Sequence, residues 1–308
     1  MKVLIVASYN KNRFAPFVVE QAEALKKQHC EILWFGLQGK GLIGYLKNLS
    51  ALKKKIREVQ PDVVHAHYGL SGLLANLQRR VPVVTTYHGS DINDKKALPF
   101  SKMAICLSAW NIFVSRKTMN LVKPKKHYDL LPCGVDLCDA QKTSKYEARK
   151  MMGLDEKKKY VLFAGAFDNT VKNASLAKEV VSHLQDGYME LIELKGYSRE
   201  EVTLLMCAVD ALLMTSFTEG SPQVVKEALA CGCPIVSVDV GDVRERVSEV
   251  NGCFVSNTRE REELADLLQT ALKFEGKTNG LESVVSDGLD NKYIAERLLE
   301  IYNNIIEK

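Results

Sequence analysis

The sequence lacks several features that would assign it to an extracellular, zinc-binding or membrane-spanning class. Its eight cysteines include no Cys-x-x-Cys pair, so neither a zinc knuckle nor a disulfide framework is indicated. No apolar run approaches the roughly 18 residues of a spanning helix, and the N-terminal run stops at Ser8, which is too short for a secretory signal. We therefore expect a cytoplasmic protein with reduced thiols.

The sequence also lacks a large excess of charge of either sign. The formal net charge is only +4 over 308 residues, which is too small to indicate a polyanionic partner, and no nucleic acid is expected to bind. The apolar fraction of 46% and the charged fraction of 26% are those of an ordinary globular protein. The length predicts about two domains.

Short apolar runs alternate with helix-period segments, and this rhythm restarts in the second half of the chain. The predicted strands are Val3–Ala7, Glu31–Phe35, Asp62–His65, Val81–Tyr87 and Asn111–Ser115, then Tyr160–Gly165, Met189–Leu194, Ala211–Thr215, Pro234–Val240 and Cys253–Ser256. Continuous Val/Ile/Leu strands separated by helices predict α/β domains with parallel sheets. We predict two doubly wound, Rossmann-like domains, 1–138 and 139–291, with a C-terminal helix 292–308 joining the first. Such folds bind ligands at the carboxyl ends of their strands, so the site is expected in the cleft between the domains.

The most informative segment is EGSPQVVKE, which runs from Glu219 to Glu227. It follows a predicted strand and opens a predicted helix, with Ser221 as the N-cap and Pro222 as the first helical residue. Backbone N–H groups around Gly220, Ser221 and Gln223, together with the helix dipole, would form a phosphate site. The two glutamates could then accept hydrogen bonds from ligand hydroxyls. The alternative is a capped helix with two solvated glutamates.

Two acidic residues eight positions apart in EGSPQVVKE, followed by ALACGCPIVSVDVG, resemble the retaining glycosyltransferases of the large bacterial "group 1" family, family four. The resemblance implies a GT-B fold of two facing Rossmann-like domains. It also implies that Glu219 holds the donor sugar, that Glu227 binds the nucleotide ribose, and that Gly220 to Gln223 form the phosphate-binding turn. Lys172 falls where the family places a lysine on the donor diphosphate.

Weaker matches lie elsewhere in the chain. HGSD, from His88 to Asp91, resembles a first-domain motif, and LPCGVD resembles the linker motif PNGVD. We assign His88 to the donor sugar or to proton handling, with a structural histidine as the alternative. Ala166 and Phe167 follow Gly165 where the family usually has an arginine. Lys11 and Arg13, after the first strand, are candidates for further diphosphate contacts.

The function implied is transfer of a sugar from a nucleoside-diphosphate sugar to a hydroxyl of a saccharide or lipid-linked acceptor, with retained anomeric configuration. No cofactor is expected, and because no Asp-x-Asp motif is present, no catalytic metal is expected either. Two alternatives stay open: a non-catalytic glycosyltransferase-like binding partner, and a nucleotide-sugar epimerase on the same fold. A Rossmann dehydrogenase is disfavoured because no Gly-x-Gly-x-x-Gly follows the first strand.

Two further patterns each allow two interpretations. His65 and His67 in HAHY share one face of a strand, but no third ligand follows at metal-site spacing, so structural histidines are favoured over a metal site. The segment Ile43–Val59 predicts one amphipathic helix with a basic face. This helix would either contact an anionic bilayer peripherally or cover the protein's own core.

Overall fold

The computed structural model describes residues 1–137, 143–185 and 187–307. They form two compact units, one comprising Met1–Gly134 with Asn291–Lys308 and the other Val135–Asp290. The boundary predicted at residues 138 and 139 lies outside the described residues.

The described part of the first unit contains a parallel sheet of six strands in the order β2-β1-β3-β4-β5-β6. The strands are β1 (Lys2–Ser8), β2 (Glu31–Leu37), β3 (Val63–His67), β4 (Val83–Tyr87), β5 (Trp110–Phe113) and β6 (Tyr128–Leu130). The first five match predicted strands to within two residues at each end. The sixth was not predicted, since three residues are too few to show a period.

Helices cover both faces of this sheet. They are α1 (Pro16–Lys27), α2 (Gly41–Leu46), α3 (Leu49–Val59), α4 (Gly69–Asn76), α5 (Ser90–Asn93), α6 (Leu98–Leu107), α7 (Arg116–Val122) and α15 (Asn291–Ile306). One core lies between α1, α15 and the sheet, and it includes Leu25, Leu298 and Tyr302. A second lies on the opposite face and includes Leu52 and Ile56 of α3.

The single helix predicted over Ile43–Val59 is wrong, because α2 and α3 are separate helices. The break lies at Asn48, whose side-chain amide donates to the backbone oxygens of Gln38, Gly44 and Tyr45 at 2.8, 3.0 and 3.1 Å. An asparagine that hydrogen-bonds the local main chain competes with helix continuation.

Most of the apolar stripe on this segment covers the protein's own core. Leu52 and Ile56 are buried, Tyr45 and Leu49 pack beside them, and Leu46 remains 38% exposed. A peripheral membrane contact therefore stays a prediction. In the described part of the chain, no helix has the length and apolarity that crossing a membrane requires.

The described part of the second unit contains a parallel sheet of five strands in the order β11-β10-β9-β7-β8. The strands are β7 (Lys159–Phe163), β8 (Met189–Glu193), β9 (Ala211–Met214), β10 (Ile235–Val238) and β11 (Cys253–Ser256). The helices are α8 (Lys145–Met152), α9 (Ala174–His183), α10 (Arg199–Ala208), α11 (Gln223–Cys231), α12 (Val243–Val247), α13 (Arg261–Ala271) and α14 (Gly280–Ser286), with a short 3-10 helix at Thr170–Lys172. The parallel α/β architecture predicted from the sequence is confirmed in both units.

A buried ion pair ties α8 to this sheet. Arg149 donates from Nη2 to Asp210 Oδ2 at 2.7 Å, from Nε to the oxygen of Ala208 at 2.9 Å and from Nη1 to that of Glu156 at 3.0 Å. The N–H of Tyr160 donates to the same Asp210 oxygen at 2.7 Å. The carboxylate just before β9 is thus fully engaged, and it fixes the start of the strand that leads to Glu219.

Candidate functional site

The loop between β9 and α11 carries the residues singled out in EGSPQVVKE. Helix α11 begins at Gln223, with Pro222 in the N-cap position and no side-chain cap. The predicted roles of Ser221 as N-cap and Pro222 as first helical residue are therefore wrong by one position. Ser221 instead donates from its hydroxyl to Asp242 Oδ2 at 2.8 Å. The dipole of α11 still gives this end of the helix positive potential.

Glu219 and Lys172 meet at this end of the helix. Lys172 Nζ lies 2.7 Å from Glu219 Oε1, and the two side chains are only 21% and 16% exposed. Lys172 ends the short 3-10 helix, which is fixed to the β9 loop by two kinds of contact. Thr215 Oγ1 donates to the oxygens of Lys172 and Asn173, and the N–H of Phe217 donates to the oxygen of Val171. These contacts therefore fix the two backbone segments that carry Lys172 and Glu219.

Gly165 makes room for the lysine. A Cβ at this position would lie 2.7 Å from Lys172 Cγ and 3.1 Å from its Cδ, closer than atoms can approach without a shift. The aliphatic part of Lys172 therefore lies directly against the Gly165 backbone. Gly165 follows β7, so the strand end itself directs the lysine towards Glu219.

The turn predicted to bind phosphate is packed equally closely. Gly241 has φ of +58°, and a Cβ there would lie 2.6 Å from the backbone oxygen of Gly220. Its neighbour Asp242, buried at 5% exposure, accepts from Ser221 and pairs with Arg246 at 3.0 Å. The loop after β10 thus holds the turn before α11 in one conformation, which favours binding because less order has to be imposed on the ligand site.

Glu227 lies one turn further along α11 and is paired. Arg199 Nη2 lies 2.7 Å from Glu227 Oε1, with the glutamate only 13% exposed. Both side chains line a cavity of about 200 Å³, together with Asp136, Glu200 and Thr203. Sequence reasoning missed Arg199, which opens α10 after the Ser198 capping box. Nothing in its local sequence distinguishes it from a solvated helix-start arginine.

In the first unit, His88 lies in an aromatic cluster at the carboxyl end of β4. Its ring centroid lies 4.7 Å from that of Phe17, 4.6 Å from Tyr68 and 5.3 Å from His67. His88 Nε2 lies 3.0 Å from His67 Nδ1, and its Nδ1 lies 3.8 Å from Cys133 Sγ. The imidazole is therefore contacted at both nitrogens, stacked on the His67 ring and tilted against the rings of Phe17 and Tyr68.

Proton placement follows from burial. His67 Nε2 is buried with no hydrogen-bond partner in the described part of the chain, and burial lowers the pKa of His67 well below its ordinary value. A neutral His67 avoids an orphaned N–H only if its proton sits on Nδ1, which then donates to His88 Nε2. His88, when neutral, then carries its proton on Nδ1, facing the Cys133 sulfur.

Asp91 fixes the loop on which His88 stands. Its carboxylate accepts from the backbone N–H groups of His88 and Gly89 at 3.0 Å and from that of Gly69 at 2.8 Å. Burial raises the pKa of Asp91 to about 6, although those hydrogen bonds oppose the shift. Tyr68, which precedes Gly69, adopts φ of +74° and ψ of 146°, a strained conformation for a residue with a side chain. The ends of β3 and β4 are therefore held rigidly together.

The remaining predicted residues lie as follows. His65 is buried in the core, with Nδ1 at 2.6 Å from the Tyr302 hydroxyl and Nε2 at 2.7 Å from Thr86 Oγ1. Lys11 and Arg13 are exposed on the loop after β1 in the first unit, and their contact with a diphosphate stays a prediction. Among residues 1–137, 143–185 and 187–307, no cluster of three or more His, Cys, Asp or Glu side chains is arranged to hold a metal ion.

Comparison with known families identifies the family to which the chain belongs. The sequence model of Glycosyltransferase Family 4 matches residues 5–138, and that of Glycosyl transferases group 1 matches residues 140–273. The chain belongs to the group 1 glycosyltransferases. The resemblance to group 1 glycosyltransferases inferred from EGSPQVVKE is thereby confirmed, and retention of the anomeric configuration stays a prediction.

Individual proteins similar to this group 1 glycosyltransferase agree with the assignment. A Bacillus subtilis protein named as a teichuronic acid biosynthesis glycosyltransferase, TuaC, is 28% identical over 218 residues, which are 61% of this chain and 56% of that protein. This chain thus accounts for little more than half of that relative's length.

Solved structures show the fold. Sucrose-phosphate synthase from Thermosynechococcus elongatus superposes with a TM-score of 0.83 at 16% identity, covering 100% of this chain and 99% of that one. Anabaena HepE in complex with UDP superposes with a TM-score of 0.74 at 17% identity, covering 99% and 100%. The predicted GT-B fold is confirmed.

The group 1 glycosyltransferase departs from its family after Gly165. Phe167 stands near the position of the usual arginine, its N–H donates to Glu193 Oε1 at 2.7 Å, and Lys178 Nζ lies 4.5 Å from the centre of its ring. The position is therefore occupied by an anchored aromatic ring, with a lysine from α9 above it.

We expect Gly165→Ala to weaken donor binding by about tenfold, since displacing Lys172 from its contact with Glu219 should remove roughly one charge-assisted interaction. The comparison is the dissociation constant of UDP or another nucleoside diphosphate, measured by calorimetry. Gly187→Ala is the matched control, because a Cβ at Gly187 meets nothing within 4 Å. Equal affinities of the two variants would show that the lysine does not depend on the glycine.

Proposed function

We propose that this chain transfers a sugar from a nucleoside-diphosphate sugar to an acceptor hydroxyl, with retained anomeric configuration. The observation that carries the proposal is the ion pair of Lys172 and Glu219 at the start of α11. A partly buried cation near the positive end of a helix suits a diphosphate, and the adjoining carboxylate suits sugar hydroxyls. Anabaena HepE, which shares the fold, was solved with UDP bound, and this supports the choice of donor class.

Each residue has one role in this proposal. The N-terminus of α11, at Gly220 to Gln223, and Lys172 bind the diphosphate. Glu219 accepts hydrogen bonds from the donor sugar. Glu227, oriented by Arg199, accepts from the ribose, and the small cavity beside this pair supplies the space.

In the reaction, the bond between the anomeric carbon and the phosphate oxygen breaks, and a bond to the acceptor oxygen forms on the same face. Negative charge grows on the departing diphosphate, where Lys172 and the preorganised helix N–H groups stabilise it. The acceptor proton passes to the departing phosphate oxygen. Our proposal involves no metal ion in any of these steps.

For His88 we propose the predicted role, contact with the donor sugar or proton handling near the reacting centre. Its two ring nitrogens are engaged by His67 and Cys133, so the imidazole is oriented before a ligand arrives. Lys11 and Arg13 are proposed to supply further charge near the diphosphate.

For the acceptor, we propose a saccharide hydroxyl, free or lipid-linked, in the synthesis of a polysaccharide or glycolipid. Support comes from the name of TuaC, which places that relative in teichuronic acid biosynthesis. Peripheral contact with a membrane is proposed through the exposed Ile43 and Leu46 and the neighbouring exposed Lys47 of the α2 segment.

The test is a product assay with UDP-, GDP- and ADP-sugars in the presence of EDTA, comparing the native chain with Glu219→Ala. We expect one donor to release its nucleoside diphosphate, and the variant to lose this turnover while retaining its thermal unfolding midpoint. Turnover that vanishes with EDTA and returns with Mg²⁺ would contradict the metal-free mechanism. Turnover unchanged by Glu219→Ala would contradict the site.

The same assay separates the two alternative functions. An epimerase would convert the donor sugar with no acceptor present, which product chromatography detects. A non-catalytic partner would bind a nucleoside diphosphate without release from any donor, even when lipid-linked saccharides are supplied.

Arg199→Ala is expected to raise the dissociation constant of the nucleotide by about tenfold, because Glu227 would lose the cation that orients it. Stability should change by less than about 0.5 kcal/mol, since Arg199 is 49% exposed on its side chain and exposed pairs contribute little. Glu200→Ala, next along α10 and lining the same cavity, is the control. Calorimetry with UDP and with uridine should show the loss of affinity for both ligands. A loss of affinity confined to UDP would indicate that Arg199 acts on the diphosphate instead of the ribose.

A further inference from the structure

A second and larger cavity, of about 730 Å³, opens at the amino ends of the strands in the second unit. Its wall includes Lys159, which begins β7, and Asp210 and Pro234, which directly precede β9 and β10. The β9–α11 turn of the proposed donor site lies at the opposite, carboxyl edge of the same sheet, and Cys231 lines both this cavity and the small cavity beside Glu227.

Two cysteines line this cavity together. Cys207 lies in the last turn of α10, and Cys231 is the last residue of α11. Both residues are buried and lie outside any disulfide, and the Cys231 thiol donates to the backbone oxygen of Thr203 on α10 at 3.9 Å, one turn before Cys207. The two cysteines thus lie on neighbouring helices and line one cavity.

Lysines outnumber carboxylates in the lining of this cavity. The lysines are Lys145, Lys159, Lys273 and Lys277, and the carboxylates are Asp210, which pairs with Lys145, and Glu275. Lys277 is fixed in place, because its Nζ donates to the oxygen of Thr143 at 3.1 Å and its side chain packs on Gly232, the residue after Cys231. An ordered cation next to a thiol stabilises the thiolate, which is the reactive form of cysteine.

The electrostatics distinguish Cys207 from other buried thiols of the same unit. The neighbouring Cys231 side chain and the charge of Lys277 lower the pKa of Cys207 to about 7, although burial opposes the shift. Burial raises the pKa of Cys233 and of Cys253, which favours their protonated, unreactive form. The lowered pKa favours the thiolate form of Cys207 near neutral pH.

We propose that Cys207 and Cys231 form a reversible, hydroperoxide-sensitive thiol pair. The Cys207 thiolate attacks a peroxide oxygen, the O–O bond breaks, and water or an alcohol leaves with the proton that the medium supplies, giving a sulfenic acid. The Cys231 thiol then attacks that sulfur, an S–S bond forms, and water leaves. In sum, two thiols lose two hydrogen atoms, and one hydroperoxide is reduced to an alcohol and water. The new bond joins α10, which carries Arg199, to α11, which carries Glu227.

The test uses the full chain, reduced and then treated with hydrogen peroxide at neutral pH. Free thiols are alkylated after the peroxide is quenched, and the digest is analysed by mass spectrometry. We expect a linked peptide containing Cys207 and Cys231, an intact mass lower by two hydrogen atoms, and full reversal by dithiothreitol. This readout needs no donor, acceptor or enzymatic turnover, so its failure is distinguishable from failure of the proposed function.

Two sets of variants make the test specific. Cys207→Ser and Cys231→Ser should each abolish the link, whereas Cys253→Ser should leave it unchanged. Lys277→Gln, at an exposed residue, keeps both thiols and should slow alkylation of Cys207 at pH 7 by about threefold, because its pKa rises. Oxidation of the exposed Cys106 before the pair, or a native chain without the linked peptide, would overturn the proposal. So would an alkylation rate that Lys277→Gln does not alter.

Discussion

Lys172→Met is expected to lower kcat/KM for glycosyl transfer by about 10²–10³-fold, the range found when one preorganised charge-stabilising group is removed. The ammonium group of this lysine pairs with Glu219, four residues before α11, where we propose that the departing diphosphate gains negative charge. Methionine keeps the aliphatic part that lies against Gly165 but removes the ammonium group. Steady-state kinetics with the donor identified in the panel assay measure the loss.

The matched control is Lys178→Met on α9, whose ammonium lies over the Phe167 ring. We expect a change of less than about threefold there, unless Lys178 replaces the family's arginine. A Lys172→Met enzyme with near-native kcat/KM would contradict the proposed role of the lysine. A Lys178→Met enzyme as impaired as Lys172→Met would show that both cations act on the diphosphate.

The pairing with Glu219 adds a second measurable property. Lys172 and Glu219 are in contact, so the effects of Lys172→Met and Glu219→Gln should be strongly non-additive in a double-mutant cycle. Groups that act as a unit show this pattern, and removing the second costs little after the first is gone. Additive losses would mean that the two residues act on different parts of the donor.

Arg149→Met is expected to destabilise the second unit by about 3–5 kcal/mol, the usual consequence of removing one partner of a buried ion pair. Both side chains of the Arg149–Asp210 pair are 8% exposed, and the arginine also satisfies two backbone oxygens. The loss would leave a buried carboxylate with fewer partners and two carbonyls without a donor. Urea unfolding followed by circular dichroism measures the change.

Lys145→Met tests whether burial is the cause. Lys145 binds the same carboxylate at 3.0 Å, but its side chain is 41% exposed, so the expected cost is below about 1 kcal/mol. Comparable losses for the two variants would show that the charge on Asp210, rather than the burial of its partner, governs stability.

Local sequence patterns predicted much of the fold. Continuous apolar runs such as Val3–Ala7 and Cys253–Ser256 lie within strands β1 and β11. A strand covered on both faces shows no alternation of apolar and polar residues, so its apolar run can be recognised in the sequence. The glutamates of EGSPQVVKE were found by motif, and the strand–loop–helix context that the motif requires is present.

What sequence reasoning missed depends on contacts between distant segments. Glu219 pairs with a lysine 47 positions away, and no local pattern records that the two meet. Serine is a residue type that often caps helices, but the Ser221 hydroxyl donates to Asp242, 21 positions later. The helix therefore begins after Pro222. The split between α2 and α3 was missed for a related reason, since Asn48 bonds back to Gln38 across the chain reversal.

The grouping of α15 with the first unit has a consequence for how the protein is made. Ile294, Leu298 and Tyr302 complete the apolar core that covers β1, and the Tyr302 hydroxyl also forms a hydrogen bond with His65. During synthesis, the ribosome adds these residues only after the whole of Val135–Asp290 has been made. The second unit can therefore complete its core first, while one face of the N-terminal sheet is covered by α1 but not yet by α15. Although it is synthesised first, the N-terminal unit is the last to close, and during that interval its exposed apolar face is the part of the nascent chain most open to chaperones and to aggregation.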